Sequence, residues 1–261
     1  MGFKTPGEIA HASVIAGKAK TLINPDKLLI LGFLAGAYIA LGGMLAIAVG
    51  GGVNDETLGL GVQKLLFAGV FPVGLMLVVI GGAELFTGNC LLLPIAAFPK
   101  EAAWNDVFKH WFWVYLGNFI GSVFIAYFLV TVTRVFAAEP WHAYIIALAE
   151  RKVTSGALQL FWSAVGCNWL VCLAVWLAMA ADDIVGKIFA IWFPTMSFVA
   201  IGFEHSVANM FFIPTGMFAG ADVSLWQFLF ANLLPVTLGN IVGGLVFVAG
   251  AYYYLHVRNS Q

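Results

Sequence analysis

The chain has 261 residues, of which 62% are hydrophobic and only 10% are charged, and its mean hydropathy is +0.95. Soluble domains carry about 25% charged residues, so this composition predicts an integral membrane protein. The 12 Lys and Arg residues are balanced by 13 Asp and Glu residues, which excludes nucleic-acid binding because that function needs a basic surface. The three cysteines all fall in apolar segments without CxxC spacing and are interpreted as small core residues.

The residues ahead of the first apolar segment carry the signals of a helix start. Thr5 can serve as N-cap, Pro6 occupies the first helical position, and Glu8 follows three residues after the cap. This pattern predicts a short amphipathic helix over residues 5–22 at the membrane surface.

Six segments are long and apolar enough to cross a bilayer, which takes about 20 residues as a helix. They lie at roughly 28–49, 63–82, 107–134, 157–181, 185–202 and 228–255. Two shorter apolar pieces, 85–98 and 206–219, each follow a span that ends at glycine. They are predicted to be the second halves of broken helices 2 and 5. The chain, 1–261, is expected to form one transmembrane domain.

The orientation follows from the positive charges. Eight Lys and Arg residues lie on the side of the two chain ends and four lie on the opposite side. Cytoplasmic loops are enriched in these residues, so both termini are predicted to be cytoplasmic in a cell (plasma) membrane.

An internal repeat becomes visible when "GAELFTGNCLLLP" is aligned with "GFEHSVANMFFIP", 120 residues later. The matching positions are Gly82 and Gly202, Glu84 and Glu204, Asn89 and Asn209, and Pro94 and Pro214. A second pair, "LGNFIG" and "LGNIVG", follows with an offset of 122. The halves 28–134 and 157–255 each contain three spans, so the second must be inverted. Inverted repeats with paired broken helices predict a transport site near the midplane.

Each half has its own predicted break, made by a glycine and a proline. The glutamates, Glu84 and Glu204, are expected to be structural and to accept hydrogen bonds from the amides freed at the breaks, because ionisable side chains at membrane depth need partners. Asn89 and Asn209 occupy the same segments.

The strongest candidate for contact with a solute is His205, because its repeat counterpart is Leu85 and it therefore departs from the internal symmetry. A neutral imidazole can donate one hydrogen bond to an anion, and a protonated one can attract it or give it a proton. Thr87 adds a hydroxyl donor. Lys152 is either a solvated interfacial charge or a cation that concentrates a small anion at a pore mouth.

Other chemistries have little support in the sequence. Only one of the five histidines, His205, lies deep in a span, and there is no HExxH motif, so a metal site is not expected. There is no P-loop for an ATP-driven pump and no G-x-S-x-G elbow for a hydrolase. No cofactor and no enzymatic activity are therefore predicted.

The two break segments, "ELFTGN" and "GFEHSVANM", together with "NWLVCLAVW" and "LPVTLGNIVGG", resemble the formate–nitrite transporter family over nearly the whole chain. The resemblance implies a homopentamer of aquaporin-like protomers, each with its own pore. It assigns a central histidine to His205, its neighbouring glutamate to Glu204, the threonine of the first break to Thr87 and the vestibule lysine to Lys152. By the same resemblance, the constrictions would be formed by Phe71, Leu75, Leu85, Phe86 and Phe198. The asparagines of the vestibules would be Asn168 and Asn240.

The resulting expectation is a channel or proton-coupled carrier for a small weak-acid anion. Formate is the leading substrate, with nitrite or hydrosulfide as alternatives, because "FTGN" differs from the "FTS" of some formate channels. In this hypothesis Lys152 attracts the anion, Thr87 and His205 hold it between apolar gates, and proton sharing with His205 lets it cross. A neutral-solute channel and a membrane enzyme using Glu204 and His205 are the alternatives from other classes.

Overall fold

The computed structural model describes residues 2–53 and 59–258. Ten helices run through these ranges, six of them long and apolar enough to cross a membrane. In chain order they are α1 Pro6–Thr21, α2 Pro25–Gly50, α3 Leu60–Gly81, α4 Phe86–Ala97, α5 Trp104–Val132, α6 Trp141–Thr154, α7 Ala157–Ala180, α8 Ile184–Ile201, α9 Ser206–Phe218 and α10 Gln227–His256. The spans are α2, α3, α5, α7, α8 and α10, which confirms the predicted all-α membrane fold.

The predicted span limits agree with the structure to within three residues. The largest differences are at helix starts. Span α2, for example, begins at Pro25 instead of residue 28, because a proline at the first helical position needs no hydrogen-bond partner for its missing N–H. The polar residues Asp26 and Lys27 are part of the helix although they are not apolar.

Helix α1 begins as its sequence predicts. The Thr5 side chain accepts a hydrogen bond from the backbone N–H of Glu8, and the Glu8 carboxylate accepts one from the N–H of Thr5. The bond from the Thr5 N–H and a second one from the Thr5 hydroxyl to the same carboxylate lower the pKa of Glu8. Ile9 and Ser13 are buried on one face of α1, and this face packs against the short helix α4. Gly17 permits the close approach, since an added Cβ would lie 1.8 Å from the Leu92 carbonyl oxygen.

The ten helices form two sets of five with the same internal packing. Helix α1 lies against α4 as α6 lies against α9, and α2 packs along α5 as α7 packs along α10. The short helix of each half also contacts the last span of the other half, so that α4 meets α10 and α9 meets α5. This packing and the three spans per half are those of an inverted repeat. Each half also includes the helix ahead of its first span, which the predicted limits omitted.

The repeated LGN motif marks a close contact between spans. An added Cβ on Gly117 would lie 2.7 Å from the Leu29 carbonyl oxygen, and one on Gly239 would lie 2.3 Å from that of Phe161. The glycines therefore bring the last span of each half against the backbone of the first. The asparagine that follows each glycine is then held beside the helix break.

The helix breaks occur at the glycines and not at the prolines. Helices α3 and α8 end at Gly82 and Gly202, which have left-handed φ angles of 81° and 91°. Pro94 and Pro214 lie inside α4 and α9, so the expectation that they help to make the breaks is wrong. A left-handed residue ends a helix by redirecting the chain, whereas these prolines only remove one hydrogen bond within each short helix.

The Gly202→Ala variant tests this assignment. An added Cβ would meet no atom within 4 Å, so the cost should come from the left-handed backbone alone and reach about 1–2 kcal/mol. The measurement is the midpoint of thermal unfolding in detergent. Gly69→Ala is the matched control, because Gly69 also has open space but lies within a right-handed helix. Equal midpoints for the two variants would contradict the assignment.

Candidate functional site

The first break is held by one asparagine of α5. Asn118 Oδ1 accepts a hydrogen bond of 2.9 Å from the N–H of Phe86, the first residue of α4. Its Nδ2 donates to the carbonyl oxygens of Gly32 and Glu84 at 2.8 and 3.0 Å. One buried side chain thus joins the first span, the break and the start of the short helix.

The second break has the same arrangement around Asn240. Its Oδ1 accepts from the N–H of Ser206 at 2.9 Å, and its Nδ2 donates to the carbonyl oxygens of Ala164 and Glu204 at 2.9 and 3.1 Å. Asn240 was expected in a vestibule, but it is completely buried. The correction has a simple cause, because backbone groups freed at membrane depth must be satisfied by protein.

The first glutamate is bound by side chains. Glu84 accepts a hydrogen bond of 2.7 Å from Asn89 Nδ2 and pairs with Lys20 Nζ at 2.5 Å. The expectation that Glu84 accepts bonds from freed amides is therefore not met, since the first of these amides bonds to Asn118. Sequence reasoning counted Lys20 only as a positive charge. Its position in the last turn of the helix ahead of a span could have indicated that it pairs with the glutamate at the break.

The second glutamate repeats this pattern. Glu204 accepts a hydrogen bond of 2.6 Å from Asn209 Nδ2, and both of its oxygens lie within 3.1 Å of Lys152 Nζ. Lys152 is in the last turn of α6, the counterpart of α1. The side chains of Lys152 and Glu204 are only 12% and 14% exposed, so each charge depends on the other. Lys152 is therefore a paired charge, whereas the sequence left open a solvated interfacial charge or a cation at a pore mouth.

The two breaks meet at Thr87 and His205. Thr87 Oγ1 and His205 Nε2 are 2.9 Å apart, and both side chains are buried. His205 also caps α9, because its Nδ1 accepts a hydrogen bond from the N–H of Ala208 at 3.1 Å. A neutral imidazole whose Nδ1 accepts carries its proton on Nε2. The proton of His205 thus points to the first break. Leu85, its counterpart, caps α4 without a side-chain bond.

Asn168 supports this contact from span α7. Its Nδ2 donates to the carbonyl oxygens of Thr87 and Asn240, at 3.1 and 2.6 Å. Asn168 is completely buried, so its predicted position in a vestibule is also corrected. The physical reason is again the need of irregular backbone for protein partners.

A cavity of about 430 Å³ opens beside His205. Three aromatic rings line it next to the histidine. The Phe71 and Phe198 rings are 6.3 Å apart, the Phe71 and Phe212 rings 6.2 Å, and the Phe198 ring stacks on His205 at 5.9 Å. Lys152 and Glu204 line the same cavity. Sequence reasoning missed Phe212, since nothing distinguished it among 23 phenylalanines.

The other predicted constriction residues lie elsewhere. Leu75, Leu85 and Phe86 are buried but do not line the cavity beside His205. The Phe86 ring packs on Trp111 and Tyr115 of α5, at 5.9 and 4.9 Å. Phe71 and Phe198 are the two predicted constriction residues that the structure brings together at the histidine.

No metal site accompanies these residues in the described parts of the chain, 2–53 and 59–258, since no three His, Cys, Asp or Glu residues are grouped to hold an ion. The three cysteines are free and buried, as their apolar surroundings predict. The site therefore offers hydrogen-bond donors, apolar rings and paired charges.

An inverted repeat of three spans, with two broken helices meeting at a buried polar contact, defines a membrane channel or carrier. The family model described as "Formate/nitrite transporter" matches residues 7–254. The chain belongs to the formate/nitrite transporter family. This membership places it among transporters and not among enzymes.

Similar proteins agree along nearly the full length. The chain is 50% identical over 270 residues to a "Probable formate transporter" of Methanothermobacter thermautotrophicus, a match that covers 98% of each chain. A solved "FNT family ion channel" superposes with a TM-score of 0.88 at 31% identity, over 95% of this chain and 98% of that one. A solved "Pentameric formate channel with formate bound" superposes with a TM-score of 0.78 at 32% identity, over 90% of this chain and 98% of that one.

The buried pair Lys152–Glu204 yields a stability prediction. Lys152→Met should cost about 3–5 kcal/mol, because it leaves a buried carboxylate without its cation. The double variant Lys152→Met/Glu204→Gln should recover most of this loss. Unfolding of the purified protein in detergent measures both effects.

Lys18 provides the control, since it pairs with Glu101 on the surface with 56% and 44% of the side chains exposed. Lys18→Met should cost about 1 kcal/mol or less. Similar losses for Lys18→Met and Lys152→Met, or no recovery in the double variant, would contradict the buried-pair assignment.

Proposed function

We propose that this protein is a channel or proton-coupled carrier for formate, and that it works as a homopentamer in the cell membrane with both termini in the cytoplasm. The observation that carries the proposal is the Thr87–His205 contact between the two breaks, at 2.9 Å. It offers two hydrogen-bond donors to a small anion in surroundings that are otherwise apolar. Formate and the pentamer are supported by the names of the similar proteins, one a probable formate transporter and one a pentameric channel with formate bound.

The anion first has to reach the cavity. Lys152 is neutralised by Glu204 and by itself contributes little net charge. Lys64 and Arg151 are exposed and line the same cavity. These two cations raise the local concentration of anions, and the Lys152–Glu204 pair forms the polar wall below them. The cavity then leads to the ring of Phe71, Phe198 and Phe212.

The anion then needs its charge compensated, because apolar rings cannot replace its hydration. Formate enters between Thr87 and His205, breaks their direct contact and accepts a hydrogen bond from His205 Nε2–H. The Thr87 hydroxyl donates the second. Nδ1 remains the acceptor for the Ala208 N–H, so the ring keeps the orientation that aims Nε2 at the anion. The proton that Nε2 gives to formate is replaced by one from the cavity, so the ring returns to its neutral form and the neutral acid crosses the dry part of the path.

Flux measurements in liposomes test the substrate. Formate, nitrite, hydrosulfide, lactate and water should be compared at two pH values, one unit or more apart. We expect formate to be transported fastest and faster at the lower pH, since a weak acid is neutralised more readily there. Faster transport of nitrite or hydrosulfide than of formate would identify that anion, of the same class, as the substrate. Water moving while no anion does would contradict the proposal.

The His205→Phe variant tests the mechanism. It removes the Nε2 donor, and it should lower formate flux by about tenfold or more, the effect of losing one hydrogen bond to a charged group, and should abolish the pH dependence of the flux. Thr87→Val should lower the flux in the same direction. His142→Phe, at a 40% exposed histidine outside this site, is the control. Unchanged pH-dependent flux in His205→Phe would refute the mechanism.

A further inference from the structure

His110 lies in span α5, next to the Lys20–Glu84 ion pair, and its side chain is only 2% exposed. Within the described residues, neither of its ring nitrogens has a hydrogen-bond partner. A buried polar group without a partner destabilises the folded protein, so a histidine in this position needs a reason. Its Nε2 is 3.5 Å from the Glu84 Oε2 atom, just beyond a hydrogen bond and directed at a carboxylate.

The second half of the protein has an asparagine at the position equivalent to His110. The residue 122 positions after His110, the offset of the LGN motif, is Asn232. Asn232 Oδ1 accepts a hydrogen bond from Asn209 Nδ2 at 2.8 Å, and its Nδ2 donates to the Lys152 carbonyl oxygen at 2.7 Å. An amide therefore ties the lysine of that half to the asparagine that holds Glu204. These bonds do not change with pH.

We propose that His110 is a proton-binding site that controls the Lys20–Glu84 ion pair. With the ring neutral, Glu84 is held by Lys20 and Asn89. When the ring binds a proton, Nε2–H closes the short gap to Glu84 Oε2 and donates to it. Two cations then share one carboxylate, and the hold of Lys20 weakens. The proton and the lysine thus compete, and each lowers the affinity of the site for the other.

The charged groups around the ring fit this competition. Glu84 faces it from the first break and Lys20 faces it from α1. On its own helix, Asp106 and Lys109 form an exposed ion pair with each other at 3.8 Å. Glu84 is the group that stabilises a charged ring, and Lys20 is the one that opposes it. Releasing Lys20 therefore removes the obstacle to protonation at the same time as protonation releases Lys20.

The consequence for transport rests on the proposed function. Releasing Lys20 frees one cation on the α1 side and loosens the tie between α1 and the first break. The break of the other half has no such response, because Asn232 cannot bind a proton. Formate flux should therefore respond to acid on the α1 side through His110, separately from any response of His205.

The test reads the release of Lys20 directly. The protein in liposomes is treated with an amine-reactive acylating reagent at several pH values, and labelling of Lys20 is quantified by mass spectrometry relative to Lys18. Lys18 is on the same helix and exposed, so the ratio cancels the effect of pH on amine chemistry. We expect the ratio to rise about threefold or more between about pH 8 and about pH 4, since a ring buried beside Lys20 takes up its proton only in acid.

His110→Asn, which installs the amide used by the other half, should make the ratio independent of pH, and His142→Asn should leave the rise intact. His110→Gln serves as a second variant, and size-exclusion chromatography checks that each variant is folded. A ratio in the unmodified protein that stays constant with pH, or that rises equally in His110→Asn, overturns the proposal. The labelling does not depend on transport, so it fails or succeeds independently of formate flux.

The flux assay adds a functional readout. With acid on the α1 side, His110→Asn should shift the pH profile of formate flux while leaving the maximal rate within about twofold, since the residue does not touch the path between Thr87 and His205. A structural defect alone would lower the rate at every pH. An unchanged pH profile would mean that His110 does not influence transport.

Discussion

Two helices are broken at the depth of the hydrocarbon core, where each backbone group without a partner costs several kcal/mol. Asn118 and Asn240 meet this requirement by binding the first N–H of each short helix and carbonyl oxygens on both sides of the break. The asparagines can reach the breaks only because Gly117 and Gly239 let the spans cross with their backbones in contact. Much of the packing of the first and last spans in each half follows from this constraint.

The buried charged side chains at the breaks also need partners within the protein. Each glutamate at a break is held by an asparagine of its short helix and by a lysine from the helix ahead of the first span of its half. Those helices, α1 and α6, belong to the repeat and connect the surface to the breaks. With the glutamates paired, the region between the breaks contains few free polar groups. The hydrogen of His205 Nε2 and the hydroxyl of Thr87 are what it offers to an anion.

The proposed function depends on positions where the two halves differ. The symmetric residues close the breaks, and an anion site needs groups that are not used for that purpose. His205 replaces the leucine of the first half, Thr87 replaces the valine of the second, and His110 replaces the asparagine that would fix the ion pair. His205, between the halves, can share a proton with a solute. His110, beside Glu84, can bind a proton in competition with the lysine that pairs with this glutamate. Both depend on a framework of backbone and asparagine contacts that do not respond to pH.

The sequence by itself determined the membrane class, the six spans, the inverted repeat and the glycine breaks, because hydropathy and backbone conformation are local properties of a helix in lipid. It also singled out His205 as a candidate through the comparison of the halves, and Thr87 as a hydroxyl donor two residues after Leu85. Only the tertiary structure decided the partners. It showed that asparagines of distant spans satisfy the breaks, that Lys20 is the counterpart of Lys152, and that Phe212 joins the aromatic ring at the cavity. These contacts join residues far apart in the chain, and side-chain hydrogen bonds and ion pairs between helices leave no periodic signal in the sequence.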